Sequence, residues 1–463
     1  MVGCSRWVEG SDCFEDAKNW SEIKLTCRWC DHYVPFRIIV PQILGVMMFH
    51  LPGFPLLLLG VYLLMGCDQD VPAGSGVEVA DTLRLRIATY NIEDVRTVDV
   101  LNPDHPRLKR AAAAIQRLRP DVLLVNEMTY DQAGVPGYDE AEGEGQNARR
   151  FADAFLAVSQ GEGLRPIRYR TFMAPSNTGL ASGFDLDNDG RTVTGFPEPA
   201  PPNPDGSPVR QTPAERAYGG DAWGFGTFPG QYAMALFVRE DLEILGEAVR
   251  TFRLLPWRRM PDALMPVDPA TGQPWYQSEE AAQFRLSSKS HWDVPVRLPD
   301  GRLLHVLASH PTPPAFDGDE QRNVRRNHDE IRFWADYLDG ASYIVDDSSR
   351  AGGLDPAAPF VLLGDLNADP DEGNALGNPI GTWLLNHPRI NGDFVPRADT
   401  GWMAAYPRLD PDDTAGWGLR VDYVLPSVNL RLLDGGIVRP LDSNTTGVPA
   451  SDHFLVWIDV AID

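Results

Sequence analysis

The hydrophobic pattern of the chain predicts an α/β fold. Short apolar runs of strand length recur from residue 83 onward, helix-length segments lie between them, and the runs tend to close on polar residues. Leu83, Leu85 and Ile87 alternate with Arg84, Arg86 and Ala88, a period of two that predicts a strand ending at Tyr90-Asn91. Arg107 to Leu118 reads as a helix, stopped by Pro120-Asp121 before a buried strand, Val122 to Val125, that ends at Asn126-Glu127. Further strands are predicted at 232–238, 291–297, 303–309, 359–364, 420–425 and 454–460, with helices at 321–338 and near 380–386. Between about 131 and 230 the chain is rich in Gly, Pro and Asp and has few periodic segments; Pro197 to Pro208 reads as an irregular loop. So long a loop-rich insertion is read as functional or as a decoration on the scaffold.

The 463 residues can bury one large core or two modest ones. A net charge of -24, from 41 Lys and Arg against 65 Asp and Glu, argues against tight non-specific nucleic-acid binding, because such a surface repels phosphate. Nucleic acid remains open as a substrate, since bound cations reverse the sign locally. All five cysteines (Cys4, Cys13, Cys27, Cys30 and Cys67) fall in the first 67 residues, so the remainder needs no disulfide and tolerates an oxidising compartment. Cys27-x-x-Cys30 has the spacing of half a zinc or redox motif, but no matching second pair accompanies it.

Residues 38–66 carry no formal charge, are long enough to span a bilayer, and end at Gly66-Cys67 before Asp68-Gln69-Asp70. A small residue directly before a cysteine, at the end of an apolar run, resembles a bacterial lipoprotein signal, which implies lipidation of Cys67. The other reading of 38–67 is a simple membrane anchor. Residues 1–37 are read as an N-terminal extension of unassigned fold from a start set too early, with Met47 or Met48 as alternative first residues. Residues 68–80 read as a tether and 81–463 as one domain. Both readings of 38–67 place that domain in the cell envelope, exported and membrane-tethered.

Six strand ends carry the chemistry: Thr89-Tyr90-Asn91, Val125-Asn126-Glu127, Ser309-His310, Gly364-Asp365-Leu366-Asn367, Arg420-Val421-Asp422-Tyr423 and Ser451-Asp452-His453. Alternation puts Asp365 and Asn367 on one face, with Leu366 turned away. An acid and an amide on one rim can hold a metal-bound water or a phosphoryl oxygen. A solvated strand end explains any one of these; packing does not explain six. Their order and wording resemble the endonuclease/exonuclease/phosphatase superfamily over roughly 81–463, most specifically in Gly364-Asp365-Leu366-Asn367, Arg420-Val421-Asp422-Tyr423 and Ser451-Asp452-His453. The resemblance implies a four-layer sandwich, two mixed β-sheets flanked by helices, with a phosphoesterase site at one end of the sheets.

Position by position, the resemblance implies that Glu127 is the principal ligand of Mg²⁺ or Mn²⁺, assisted by Asn91, with Asp452 as a second metal-side carboxylate. A hard cation takes oxygen ligands and keeps most of its waters. Asp365 and Asn367 would orient the attacking water and bind the phosphate. His453 would be the catalytic imidazole, with Asp422 accepting its other N–H. His310 would contact the phosphate and protonate the leaving oxygen, steadied by an acid on the preceding strand. Asp293 is the candidate for that acid, an exposed strand acid being its other reading. Lys289 and His291 are candidate phosphate contacts.

Two stretches lie outside the shared pattern. Gln321 to Glu330 opens a helix whose N-terminus and arginines are read either as a holder of extra phosphate or as a solvated charged face. Asp185-Leu186-Asp187-Asn188-Asp189-Gly190 has the acid spacing of a Ca²⁺ loop through Asp185, Asp187 and Asp189, or is an Asp/Gly turn; position twelve is Phe196 where a calcium loop has glutamate. The expectation is a monomeric, exported, metal-dependent phosphoesterase acting on mono- or diesters. A secreted nuclease and a sphingomyelinase-like lipid phosphodiesterase are the alternatives. A non-catalytic lipoprotein binding module is the rival of another class, and every expected site position being filled argues against it.

Overall fold

The structure, a computed structural model, describes residues 20–25, 36–41, 82–201, 203, 206–399, 406–440 and 450–462. Cys67, the tether 68–80 and the apolar segment beyond Pro41 lie outside the described residues. The chain divides into two compact units, residues 1–77 and 78–463. In the first, β1 (Trp20–Leu25) pairs antiparallel with β2 (Phe36–Pro41), Trp20 opposite Pro41, within the stretch left without an assigned fold and the first residues of the apolar segment. Among the described residues no helix is long and apolar enough to cross a membrane.

The described residues of the second unit form twelve strands: β3 (Leu83–Val95), β4 (Val122–Met128), β5 (Tyr169–Phe172), β6 (Met234–Arg239), β7 (Glu243–Ile244), β8 (Arg250–Thr251), β9 (His291–Arg297), β10 (Leu303–Ser309), β11 (Phe360–Asp365), β12 (Asp422–Pro426), β13 (Arg431–Val438) and β14 (Leu455–Ile462). One sheet runs β13-β14-β3-β4-β6-β5; the other runs β12-β11-β10-β9-β7, with β8 also on β9. Each is mixed, with one parallel pair, β3 with β4 and β10 with β11, flanked by antiparallel neighbours.

Period-two alternation sorts the side chains into layers. Leu85, Ile87, Val122, Leu124 and Leu236 of the first sheet meet Val294, Val306, Val361 and Leu363 of the second in a shared central core. The intervening residues face outward. Leu123, Val125 and Phe237 pack with Leu108, Ala112 and Ile115 of the helix Pro106–Leu118, while Leu307, Leu362 and Tyr423 pack with Ile331, Trp334 and Tyr337 of the helix Arg322–Leu338. The result is the expected α/β sandwich of two mixed sheets flanked by helices.

This topology decides where the chemistry goes. Strands of a parallel pair end at the same edge, so Asn91 and Asn126-Glu127 finish beside each other, as do Ser309-His310 and Asp365. The antiparallel partners β12 and β14 start at that same edge, which delivers Asp422 opposite Asp365 and His453 just before Leu455. Six segments distant in sequence thus converge on one end of the sandwich.

Besides β1 and β2, four described strands were not predicted, β5, β7, β8 and β13, and each lies at the margin of its sheet with mostly half-buried or exposed residues. A marginal strand needs no continuous apolar run, so its signal is weak. The helix expected near 380–386 is a π-helical turn, Ile380–Leu385. Within the insertion the helix Pro213–Gly220 starts with a capping box. Thr212 accepts from Glu215 N at 3.2 Å and Glu215 accepts from Thr212 N at 2.6 Å. The insertion is tied to the site edge by the buried Arg107, which donates to the carbonyls of Gly206 and of Ile92.

Candidate active site

Gly364 sets the geometry of the Gly-Asp-Leu-Asn strand end. Its φ is +146°, and a Cβ there would lie 2.0 Å from the Ser309 carbonyl oxygen, so only glycine lets β11 run this close to β10. Asp365 follows on the inner face, in phase with Val361 and Leu363. One of its oxygens is a hub. Asp365 Oδ2 lies 3.0 Å from Asn91 Nδ2, 3.3 Å from His310 Nε2 and 3.7 Å from His453 Nε2, while Oδ1 accepts from Asn367 N at 2.9 Å. Asn367 adopts φ +55°, and its Nδ2 donates to Pro311 O at 3.2 Å, tying this strand end to the His310 loop.

His453 donates from Nδ1 to Asp422 Oδ2 at 2.8 Å. Both residues are buried. Burial alone would push the imidazole toward its neutral form, but the charges of Asp422 and Asp365 hold its pKa well above the ordinary value. Burial also pushes Asp365 up; His453, His310 and Asn91 override it and hold the carboxyl well below the usual range. Asp422 goes the other way, raised by burial that His453 offsets only in part. The site therefore pairs an ionised Asp365 with a charged His453. His310 differs: burial and the nearby Lys289 lower its pKa, and its Nδ1 has no partner.

Glu127 sits at φ +65°, which turns its side chain toward Asp365 although it follows the inward-facing Asn126. Its Oε2 accepts from Asp94 N at 2.9 Å and its Oε1 from Asn91 Nδ2 at 3.0 Å. Asn91 presents its amide nitrogen to both carboxylates, while its Oδ1 accepts from Glu93 N. Ligand atoms of Glu127, His310 and Asp365 lie within 4.8 Å of one another, as do those of Asp365, Asp422 and His453. Glu93 adds a half-buried carboxyl, pushed up to about 7 by burial and by Asp452, Glu127 adding to it. Such crowding of acids is what a divalent cation relieves, and the mostly oxygen donor set suits a hard one. Asp452 lies on the open side, 45% exposed and 4.0 Å from His453 Nε2, outside both clusters.

Several expectations need correction. Asp293 does not steady His310. Its phase on β9 is outward, so Oδ1 bonds His305 Nδ1 at 2.7 Å and Oδ2 accepts from Tyr337 OH at 2.6 Å. His291 is no phosphate contact: it is buried, with Nδ1 2.7 Å from Ser287 Oγ and Nε2 2.9 Å from Glu330 O. Lys289, by contrast, lies at the site, buried close to Glu127 and Asp365, and its Nζ donates to Pro311 O at 3.2 Å. The start of the helix Arg322–Leu338 holds no open anion site, because Asp317 already accepts from Asn323 N and Val324 N at 2.7 and 2.9 Å. Nor is that stretch a solvated face, since Arg326, Asn327, Asp329 and Glu330 are all buried. In the Asp/Gly loop the clustered carboxylates are Asp185, Asp187 and Asp221, whereas Asp189 turns to accept from Arg191 N.

Burial of His291 has a measurable consequence. It lowers the imidazole pKa to about 3, so below the unfolded value of roughly 6.5 the unfolded chain binds a proton that the folded chain refuses. Stability is therefore lost as pH falls from about 6.5 toward 3, at about 1.4 kcal/mol per pH unit from this group. Urea midpoints at pH 6.5 and 4.5 are expected to fall less in His291→Gln than in wild type; equal falls would contradict the assignment.

Sequence reasoning missed Glu93, two residues from Asn91, because its φ of +53° breaks the strand's period of two at that point. It also missed Trp417, 52% exposed, whose ring packs edge-on to His453 at 4.9 Å. No pattern marked that residue, because its loop is brought to the site by backbone bonds from Gly416 N to Asp452 O and from Phe454 N to Thr414 O.

Among solved structures the chain is similar to an endonuclease/exonuclease/phosphatase from Beutenbergia cavernae (19% identity, 82% of this chain and 72% of that one, TM-score 0.42). It is also similar to one from Bacteroides vulgatus (12%, 82% and 100%, 0.39) and to the human Nocturnin catalytic domain with bound sulfate (13%, 81% and 93%, 0.39). No curated protein matches it. The model of the Endonuclease/Exonuclease/phosphatase family matches residues 88–453, and the chain belongs to that family.

Proposed function

We propose that this chain hydrolyses phosphate mono- or diesters with a bound Mg²⁺ or Mn²⁺, and that Asp365, Asn367, His453, Asp422, His310 and Glu127 carry the reaction. The observation that supports it most is the single carboxylate oxygen of Asp365 facing two imidazoles and an amide at the common edge of two sheets. An ionised carboxylate in that position accepts a hydrogen bond from a water and orients it for in-line attack on phosphorus. The charged His453, fixed by Asp422, donates from Nε2 to a phosphoryl oxygen as negative charge builds there. His310 and the Lys289 ammonium border the same space and add donors. A divalent cation held by Glu127, with Glu93 and Asp452 nearby, would supply charge neutralisation at the phosphoryl and leaving oxygens.

The acidic surface favours small phosphoesters over long nucleic acid, and the 38–67 segment supports export with tethering at Cys67. The test is a panel of a nitrophenyl phosphate monoester, its diester, plasmid DNA, sphingomyelin and an inositol phosphate. It is run with Mg²⁺ or Mn²⁺ and again with chelator. Turnover of at least one ester that chelator abolishes and added cation restores is expected; no release from any of them defeats the proposal. A lipid-modified Cys67 at the mature N-terminus, read by mass spectrometry, tests the tether.

A further inference from the structure

With Asp293 engaged elsewhere, something else must place His310. The ring is 2% exposed, one nitrogen has no partner, and the other reaches only Asp365. Its position is set by the backbone around it, and that backbone is gripped by one face of the helix Arg322–Leu338. Glu330, 1% exposed, accepts from Ser288 N through Oε1 at 2.6 Å and from Thr312 N through Oε2 at 2.7 Å. Asn327, one turn earlier, donates from Nδ2 to Thr312 O at 2.8 Å and to Leu366 O at 3.0 Å. Trp334, one turn later, donates to Ser309 Oγ at 2.8 Å. Spacings of three and four put these side chains on one helix face. They therefore hold, from one rigid element, the loop of Lys289, the loop of His310 and the turn between Asp365 and Asn367.

We propose that Glu330 is the positioning residue for His310 and Lys289, with Asn327 as its partner. This rests on the function proposed above only in taking His310 as a site residue. The chemistry requires a carboxylate at 330. Two backbone N–H groups from different loops converge on it, and only a group that accepts through both oxygens satisfies both. A glutamine would turn its own N–H₂ toward one of them and release that loop. The bond from Lys289 Nζ to Pro311 O closes the same link from the other side, so the spacing between the ammonium and the imidazole follows from the Glu330 bridge. The buried Asn327 and Glu330, unexplained as a phosphate holder or a solvated face, thereby acquire a role.

The test combines kinetics with amide exchange on the full chain. In Glu330→Gln, kcat is expected to fall about 30-fold with KM within about threefold, since small misplacement of a positioned group costs this much. In a His310→Ala background the same substitution is expected to cost at least about threefold less than in wild type, because only the part of its effect that passes through Lys289 remains. A residue that only supports the fold would cost the same factor in both backgrounds, and that outcome overturns the proposal. Exchange at the Ser288 and Thr312 amides is expected to speed up at least tenfold in Glu330→Gln; unchanged protection also overturns it. Exchange reads the bridge whether or not any ester is turned over, so an inactive wild type would defeat the proposed function while leaving this inference decided separately. Glu330→Asp, whose shorter carboxylate cannot reach both the Ser288 and the Thr312 amide, carries the same measurements should Glu330→Gln not fold.

Discussion

Replacing Asp365 by asparagine is expected to lower kcat/KM for ester hydrolysis by about 10⁴-fold, near the upper end of what one acid-base group contributes. The size follows from how much converges on one atom. Asp365 Oδ2 faces Asn91, His310 and His453, and its partner oxygen anchors the Asn367 backbone. Asparagine keeps the shape and loses the charge, so three things fail together. The water loses its acceptor, Asn91 and His310 face an uncharged group, and His453 loses one of the two carboxylates that keep it protonated. The third effect has its own readout: the His453 imidazole resonances should titrate at lower pH in Asp365→Asn than in wild type. Because the residue is buried and isosterically replaced, circular dichroism and melting should show a folded protein. Activity within tenfold of wild type in a folded Asp365→Asn would remove Asp365 from the proposed mechanism.

Where the site was legible, it was legible through phase. Period two along β3, β4 and β11 puts Asn91, Asn126 and Asp365 on the inner face with Ile87, Leu124 and Leu363, and the polar closing residues mark the strand ends. Phase also exposes the error at Asp293. Trp292, Val294 and Val296 belong to the core between the sheets, so the residue between them faces the outer helix. Glu127 shows the limit of such reasoning, since a left-handed backbone at the strand end reverses the direction that phase predicts. The Glu330 bridge was not legible at all, because a buried acid in a helix looks like a surface acid until its two partner loops are known. The insertion was equally opaque, its short helices and β5 being set by capping and edge pairing instead of long apolar periodicity.

Asparagine at position 422 is expected to cost about 10³- to 10⁴-fold in kcat/KM at neutral pH with little change in KM, the range seen when an imidazole loses the acid that fixes its tautomer. Asp422 accepts the Nδ1 proton of His453 at 2.8 Å, and its backbone N is itself held by Thr414 Oγ1 at 2.9 Å, so an asparagine side chain enters a fixed position. It can accept as the carboxylate does, without the charge, or turn its amide and donate into Nδ1, which forces the opposite tautomer. Either way the field that keeps His453 protonated against burial is weakened, and its pKa falls. The alkaline limb of the pH–rate profile, where His453 gives up its proton, should therefore move to lower pH in the variant. Stability carries the same signature with a definite sign. A histidine raised in the folded state stabilises fully below its unfolded pKa, about 6.5, and that contribution disappears as pH rises through the folded value. The stability gap between wild type and Asp422→Asn, measured by urea unfolding, should thus narrow as pH rises from about 6 toward alkaline pH. A gap that widens with pH, or a variant whose alkaline limb stays in place, would mean that Asp422 does not hold the proton on His453.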